Sequence, residues 1–258
     1  GLAPFLAGNI KGFLDTGANP TSIVPEADKR NLDYRMATAY TDGTKLSIEM
    51  ALVANSEGLS TDIPGMHGPQ AEHVQDTPAL FDLEAFRAKG GIVDYVLGAE
   101  PAGGVFVIGY CEDPSQRRML AYYKMGGGPY YVFYRPYHLC HIEAMRSIAE
   151  ATVDRVSLLR PDHGFHTNVY AYAKRTLRAG EELDGIGGYA CYGRIENVSS
   201  DADDEGLPIC LAEPARLLCS IPKGRRIRLA DVEVPRTNDA WRLYDLAMAR
   251  GRSTGEPR

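Results

Sequence analysis

Apolar positions in the first 160 residues follow helical spacing in some stretches and strand-like content in others, which is typical of an α+β domain. Helices are predicted at 25–31, 44–57, 80–89 and 138–153. Strands are predicted at 35–40, 91–97 and 104–110, where Val, Ile, Phe and Tyr are frequent. We expect a mixed sheet covered by the helices at 44–57 and 138–153.

From Val169 onward the pattern changes to short strands and turns. Two segments, 177–184 and 221–228, share an apolar, x, x, Gly, x, x, apolar pattern, and each is predicted to form a strand, a glycine turn and a second strand. The glycine- and tyrosine-rich segment 185–193 between them is predicted to be a loop. A terminal helix is expected at 238–250. The predicted division is a domain at 1–160, a small β-rich domain at 161–235, and a helix with a frayed tail at 236–258.

The helix at 44–57 combines a buried pattern with a narrow polar stripe. Thr44 is the expected N-cap and Gly58 the expected stop, and large apolar residues cover most of the circumference. Lys45, Glu49 and Ser56 share one side by helical spacing. That stripe either lines a cleft or faces solvent.

Composition excludes several classes of protein. The formal charge is −6, so the clustered Lys and Arg of a nucleic-acid surface are not expected. No apolar run approaches the roughly 18 residues of a membrane span. The five scattered cysteines indicate neither a disulfide framework nor a zinc site, and a cytoplasmic location fits best. The chain opens on Gly1 rather than Met, and we expect it to be part of a longer polypeptide.

The stretch 124–143 holds a candidate site. It contains Lys124, three consecutive glycines, five aromatic residues, Arg135 and His138, with a helical pattern following. Arg135 suits a bidentate hold on phosphate or carboxylate, and His138 suits proton transfer. The alternatives are that Arg135 and His138 cap the next helix and fill a domain interface, and that Lys124 faces solvent. The tyrosines and phenylalanine at 130–134 are interpreted as core.

Two loops supply further candidates. The glycine-rich segment around Lys11 suits a loop that approaches a ligand closely, or a plain surface loop. His67 lies in a loop framed by glycine and proline on both sides, where it either contacts a ligand or is solvated. His163 and His166 are interpreted as ordinary residues of a linker at 155–168.

Several segments resemble homoserine-dehydrogenase-like oxidoreductases that carry a C-terminal SAF domain of the β-clip type. They are Asp42-Gly-Thr-Lys45 with Glu49 and Asn55, Gly65-Met-His-Gly-Pro69, 91–95, Gly126-Gly-Gly-Pro-Tyr130, Arg135-Pro-Tyr-His-Leu139, and 173–184. The resemblance covers about residues 7–248. The family that the chain resembles includes enzymes similar to 1-deoxy-D-xylulose 5-phosphate reductoisomerase. A nicotinamide-binding Rossmann domain precedes the catalytic domain in that family, and no G-x-G-x-x-G fingerprint occurs here.

The resemblance implies the catalytic and SAF portion of an NAD(P)-dependent dehydrogenase or reductoisomerase, acting on a small anionic polyol or sugar. The catalytic residues expected are Lys45, Lys124 and His138. The residues expected to bind substrate are Arg135, His67, Lys11, Asn55 and Tyr137. Gly126, Gly127 and Gly128 are expected to contact the cofactor, and Asp42 and Glu49 to bind Mg²⁺ or Mn²⁺.

Two other classes of function stay open. One is a SAF-containing module that binds a sugar acid without chemistry, and the other is an assembly module. A homo-oligomer is expected because the catalytic domains of such dehydrogenases usually also form the dimer interface. Neither a nucleic acid nor a membrane is expected as a partner.

Overall fold

The computed structural model describes residues 1–137, 139–199, 205–236 and 238–253. Its α-helices are α1 (Val24–Arg30), α2 (Tyr34–Thr41), α3 (Thr44–Glu57), α4 (Leu83–Ala88), α5 (Pro114–Tyr122), α6 (Cys140–Ala149) and α7 (Asp239–Ser253). Its strands are β1 (Ala3–Lys11), β2 (Ile92–Leu97), β3 (Gly104–Tyr110), β4 (Tyr130–Pro136), β5 (Thr167–Ala173), β6 (Cys191–Asn197), β7 (Arg216–Leu217) and β8 (Val232–Glu233). The predicted α+β class is confirmed.

The chain divides into two compact units that are interleaved in sequence. The first unit comprises Gly1–Phe13, Leu52–Asp62 and Met66–Asp162. The second comprises Leu14–Ala51, Ile63–Gly65 and His163–Arg258. The boundary at residues 51 and 52 falls inside α3. The division at 160 and 235 expected from the sequence stays a prediction.

A four-stranded mixed sheet organises the first unit, in the order β2-β1-β3-β4. β1 pairs in parallel with β2 and antiparallel with β3, and β3 pairs antiparallel with β4. Apolar side chains from β1, β2 and β3 pack with Val74, Leu83 and Phe86 in one core. Because Leu83 and Phe86 lie on α4, this short helix covers one face of the sheet.

The second unit is built from helices and short ribbons. β5 and β6 form an antiparallel pair, as do β7 and β8. Isolated bridges join the remaining segments, for example Leu177 with Ile221 and Tyr172 with Arg226. The described part of the chain contains no helix that is long and apolar enough to cross a membrane.

Several predicted elements are confirmed. The helix predicted at 25–31 is α1, the strands predicted at 91–97 and 104–110 are β2 and β3, and the buried helix predicted at 44–57 is α3. The helix expected at 138–153 is α6, which a π-helical turn extends to Asp154. The terminal helix predicted at 238–250 is α7.

The strand predicted at 35–40 is wrong, because these residues form α2. The Asp33 side chain accepts a hydrogen bond from the Met36 amide at 2.9 Å, which is an N-cap. The helix residues Ala37, Thr38 and Ala39 are buried. The cap and the burial of these residues outweigh the strand-like content of the segment.

Helix boundaries also differ from expectation. Thr44 is the first residue of α3 rather than its N-cap, because the Asp42 carboxylate accepts from the Thr44 amide at 2.9 Å. The helix predicted at 80–89 begins at Leu83, since Asp82 caps it by accepting from the Ala85 amide. Leu52 of α3 is exposed, although its pattern placed it in the buried set.

The glycine turns of the internal repeat are confirmed, whereas its strands are not. Gly180 and Gly224 have φ of 84° and 76°, a conformation that favours glycine. The flanking residues form isolated bridges rather than strands. The loop predicted at 185–193 is confirmed up to residue 190, and its last three residues belong to β6.

The predicted covering of the sheet by the helix at 138–153 is wrong. The apolar residues Ile142, Met145 and Ile148 of α6 are all more than half exposed. Among the aromatic residues of β4, Tyr131 is buried as predicted, while Phe133 and Tyr134 are exposed. The periodic pattern therefore predicted the elements but not the surfaces that they contact.

Candidate functional site

Lys45 lies in the first turn of α3 and pairs with Glu49 one turn later. Its Nζ contacts Glu49 Oε1 and lies 5.3 Å from the centre of the Tyr40 ring. The side chains of Lys45 and Glu49 are 42% and 33% exposed. An ammonium group opposes the positive end of the helix dipole, so this position does not favour helix stability. The placement instead suits an ammonium that is oriented to contact a ligand.

Asp42 and Lys174 form a buried ion pair beside the start of α3. Lys174 Nζ lies 2.8 Å from Asp42 Oδ2, and both side chains are almost fully buried. The same ammonium donates to the carbonyl oxygens of Ala18 at 2.6 Å and Gly188 at 2.8 Å. These three acceptors match its three protons. The pair therefore fixes Asp42, whose other oxygen holds the first amide of α3.

Hydrogen bonds to the Asp184 side chain hold the loop before β6. The Asp184 carboxylate accepts from the amides of Tyr189 at 2.5 Å and Ala190 at 3.0 Å. A Cβ at Gly188 would lie 2.2 Å from this carboxyl group, so the loop requires glycine there. Burial, and then nearby Asp184, raise the pKa of the Cys191 thiol to about 12. Cys191 is therefore a neutral packing residue.

His67 is the centre of a polar cluster in the first unit. Its Nδ1 lies 2.7 Å from Asp94 Oδ2, and its Nε2 lies 3.2 Å from Asp62 Oδ2. The other oxygen of Asp62 contacts Lys89 Nζ. Asp94 is fully buried on β2 and also accepts from the backbone amides of His67, Gly68 and Tyr95.

Aromatic side chains and the backbone hold the imidazole of His67 in place. Its ring lies 5.6 Å from the Phe86 ring and 6.3 Å from the Phe81 ring, measured between centroids. Gly68 has φ of 56°, and a Cβ there would lie 2.0 Å from the Tyr95 ring. The side chain of His67 stays 32% exposed. A ligand therefore has access to a histidine whose orientation is fixed.

The glycine turn at 126–128 connects α5 with β4. Arg117 donates to the Gly127 carbonyl oxygen at 2.9 Å, which ties the turn to α5. A dinucleotide-binding turn leads into a helix whose N-terminus meets the phosphates. Within the described residues this turn leads into a strand. The cofactor contact expected for Gly126, Gly127 and Gly128 stays a prediction that the geometry of the turn does not favour.

Arg135 and Lys124 lie in different surroundings. Arg135 Nη2 lies 2.6 Å from Glu143 Oε1 in the first turn of α6, while its side chain remains 66% exposed. This ion pair matches the alternative in which Arg135 stabilises the start of the following helix. Lys124 is exposed after α5 with φ of 62°.

The other predicted site residues are spread over the chain. Tyr137 is 63% exposed with φ of 70°, and His138 lies outside the described residues. Lys11 is half-buried at the end of β1, and Asn55 is buried on α3. Both take part in further polar contacts. Within the second unit, the structure brings together Lys45 and Glu49, with Asp42 on the residues leading into the same helix.

Asp94 and Lys174 are two polar residues of these clusters that sequence reasoning did not select. A signal existed for each. Asp94 is a carboxylate inside the apolar strand Ile-Val-Asp-Tyr-Val-Leu, and a charge in such a strand requires partners. Lys174 directly follows the equally buried strand β5. Their partners, in contrast, are distant in sequence.

Comparison with known proteins adds the family. No curated protein matches the chain. The family model described as Oxidoreductase DRL, catalytic domain, matches residues 1–144. The match includes Asp42, Lys45, Glu49, His67 and Asp94, which are the residues around which both polar clusters are built. The chain belongs to the family of the oxidoreductase DRL catalytic domain.

Proposed function

We propose that this chain supplies the substrate-binding and catalytic residues of an NAD(P)-dependent dehydrogenase or reductoisomerase. The proposed substrate is a small phosphorylated or carboxylated polyol or sugar. Membership of an oxidoreductase catalytic family supports the reaction class. The observation that carries the residue assignment is the partly exposed Lys45 ammonium, held by Glu49 and Tyr40.

Lys45 would hold and move the proton at the substrate oxygen. When a carbonyl is reduced, its oxygen gains a proton, and an ammonium in contact with that oxygen donates it; in the reverse direction the amine accepts it. A nicotinamide supplies or accepts the hydride in this class of reaction. The geometry of the glycine turn at 126–128 does not favour contact with its phosphates, so we assign the described residues only to the proton and to the substrate.

Among the described residues, Lys45 is a stronger candidate for proton transfer than Lys124. Lys124 lies exposed on a turn, whereas Lys45 is held within a helix whose start is fixed by the Asp42–Lys174 pair. The fixed start of α3 restricts the position of the Lys45 ammonium. This matters because catalysis depends on the positioning of the reacting groups. The substrate contact expected of His67 from the resemblance stays a separate prediction about the first unit.

The proposal does not assign a divalent cation to the site, and the dependence of activity on Mg²⁺ or Mn²⁺ is tested directly. Asp42 and Glu49 both face lysine ammonium groups, and among the described residues no cluster of three or more His, Cys, Asp or Glu side chains could hold a metal. This arrangement does not favour either carboxylate as a metal ligand. The SAF identity of 161–235, a homo-oligomer and a cytoplasmic location stay further proposals.

The test uses the full gene product that contains this chain. Reduced nicotinamide cofactors are incubated with a panel of sugar phosphates and sugar acids, with and without Mg²⁺ or Mn²⁺, and cofactor oxidation is followed by absorbance. We expect Lys45→Met to lower kcat/KM by about 10²- to 10⁴-fold, the usual range for loss of a proton-transfer group. The free energy of unfolding should stay within about one kcal/mol of wild type, since the Lys45–Glu49 pair is partly exposed.

Lys29→Met is the matched control, because Lys29 is an exposed lysine on α1 of the same unit. It should leave kcat/KM within a few-fold of wild type. Near-normal turnover in Lys45→Met would remove Lys45 from the proposal. Absence of cofactor oxidation with every member of the panel would count against the substrate class.

A further inference from the structure

Four arginines line a cleft in the second unit. The cleft has a volume of about 720 Å³, which is within the range of small-molecule sites. Its cationic lining consists of Arg194, Arg225, Arg226 and Arg228. Apolar side chains and the Tyr172 ring form much of the remaining wall, including Ile63, Pro64, Ile221 and Pro222, and Asp231 adds one carboxylate.

The cleft lies on one face of the β5–β6 ribbon. Directly paired residues share a face, so Arg194 lies with Tyr170 on one side and Gly193 with Ala171 on the other. A Cβ at Gly193 would lie 3.0 Å from the Thr44 side chain, which places the start of α3 on the second side. Arg194 therefore projects away from the face on which α3, and with it Lys45, begins.

Arg194 is held in position before any ligand binds. Its Nη2 donates to the Pro64 carbonyl oxygen at 2.6 Å, and its guanidinium lies 5.1 Å from the centre of the Tyr172 ring. Gly65 allows this approach, because a Cβ there would lie 2.3 Å from Arg194 Nε. A guanidinium that is already ordered loses less conformational entropy when it binds an anion.

Among the described residues, two of the four guanidiniums form no ion pair with a carboxylate. Arg226 pairs with Glu196 at 2.9 Å and Arg228 pairs with Asp231 at 2.8 Å. For Arg194 and Arg225, the described residues provide no such ion pair. Arg225 is also exposed at the mouth of the cleft. Within the described part of the chain, the two positive charges of Arg194 and Arg225 match the −1.5 to −2 or so that a phosphate monoester carries near pH 7.

We propose that this cleft binds the phosphate group of a small phosphorylated molecule. Arg194 and Arg225 donate to the phosphate oxygens, for which the planar guanidinium fork is suited. The carbon part of the ligand lies against Ile63, Pro64 and Pro222. The proposal concerns binding alone and does not depend on the reaction proposed above.

The test is isothermal titration calorimetry on the full chain at constant ionic strength. The probes are ribose 5-phosphate and inorganic phosphate, compared with ribose and gluconate. Ribose 5-phosphate is expected to bind, while ribose does not and gluconate binds more weakly. Arg194→Gln and Arg225→Gln should each lower its affinity about tenfold or more, since each removes hydrogen bonds to a charged group. Arg178→Gln removes an exposed arginine of the same unit outside the cleft lining and should leave the affinity unchanged.

Arg225→Gln keeps the test decisive if Arg194→Gln disturbs folding through its contact with Pro64. Wild-type affinity for ribose 5-phosphate in Arg225→Gln would overturn the proposal, as would equal binding of ribose. Gluconate binding as tightly as ribose 5-phosphate would overturn the assignment to phosphate.

Discussion

At the scale of single residues, two lysines of the second unit have opposite surroundings. Lys174 is buried, with its ammonium in contact with three oxygen atoms, whereas Lys45 is partly exposed and contacts one carboxylate. A buried ion pair contributes little net stability, but removal of one partner is costly because the other charge stays buried. Lys174 therefore has a structural role, and Lys45 is available to a ligand.

Replacement of Lys174 should destabilise the protein severely. We expect Lys174→Met to lower the free energy of unfolding by about 3–5 kcal/mol, because Asp42 would remain buried without its partner. Urea denaturation followed by circular dichroism measures this change. The double variant Lys174→Met with Asp42→Asn should recover part of the loss, and a double variant less stable than the single one would contradict the argument.

Asp94 offers a second residue-scale prediction. Asp94→Asn places an amide where the carboxylate accepts from three backbone amides and His67, so we expect a loss of about 1.5–3 kcal/mol in unfolding free energy. Asp82→Asn is the control, because asparagine caps a helix about as well as aspartate. Equal stability of the two variants would show that the Asp94 network contributes nothing measurable.

The sequence predicted some of these contacts and missed others for a physical reason. Lys45 and Glu49 are one helical turn apart, so spacing alone placed them together. The partners of Lys174 are Asp42, Ala18 and Gly188. No local periodicity in the sequence connects these residues with Lys174. Contacts within one element follow from its geometry, while contacts between elements depend on how the chain folds back.

At the scale of elements, capping decided where prediction failed. Segment 34–41 has strand-like content, yet Asp33 starts a helix there by accepting the Met36 amide. For α6 the opposite holds, since its helical pattern was sufficient to predict the helix. That pattern could not show that Ile142, Met145 and Ile148 remain exposed in the described chain.

The short 3-10 helix Leu229–Asp231 carries a pH-dependent contribution to stability. Arg228 donates to both carboxylate oxygens of Asp231 through Nε at 3.1 Å and Nη2 at 2.8 Å. The Arg228 hydrogen bonds hold the pKa of Asp231 below its ordinary value of 3.8, against the opposing effect of burial. A lowered pKa in the folded state stabilises the protein above the unfolded-state value.

We therefore expect wild type to be more stable than Asp231→Asn by a constant amount at neutral and mildly acidic pH. The difference should shrink as pH falls below 3.8 and through the folded-state pKa, where the carboxylate becomes protonated. Urea denaturation across this pH range measures it. Asp239→Asn is the control, because its carboxylate is 86% exposed. A difference that grows on acidification would reverse the sign and refute the assignment.

At the scale of the whole molecule, the family match and the compact units do not coincide. The match covers residues 1–144, while the second unit combines Leu14–Ala51 with His163–Arg258. Contacts within that unit join these segments, such as Asp42 with Lys174 and Thr44 with Gly193. Sequence patterns are local, so they predicted the elements and the α+β class but not this interleaving.

A chain that ends at Asp162 should therefore lose structure near its own N-terminus. We expect amides of α1 and α2 to lose protection in hydrogen exchange measured by mass spectrometry, because the rest of their unit is removed. Amides of β1 and β3 should stay protected, since the four-stranded sheet lies within the remaining residues. Unchanged protection of α1 and α2 would mean that residues 14–51 fold without residues 163–258.

The interleaving also sets an order of events during synthesis. A ribosome that has just made residues 14–51 must still translate the intervening residues before the segment from His163 onward emerges. At typical rates of about 5–20 residues per second, that interval lasts on the order of ten seconds. For this time α1, α2 and the start of α3 are exposed without their partners, so the nascent chain at this stage is the form most open to chaperones and proteases.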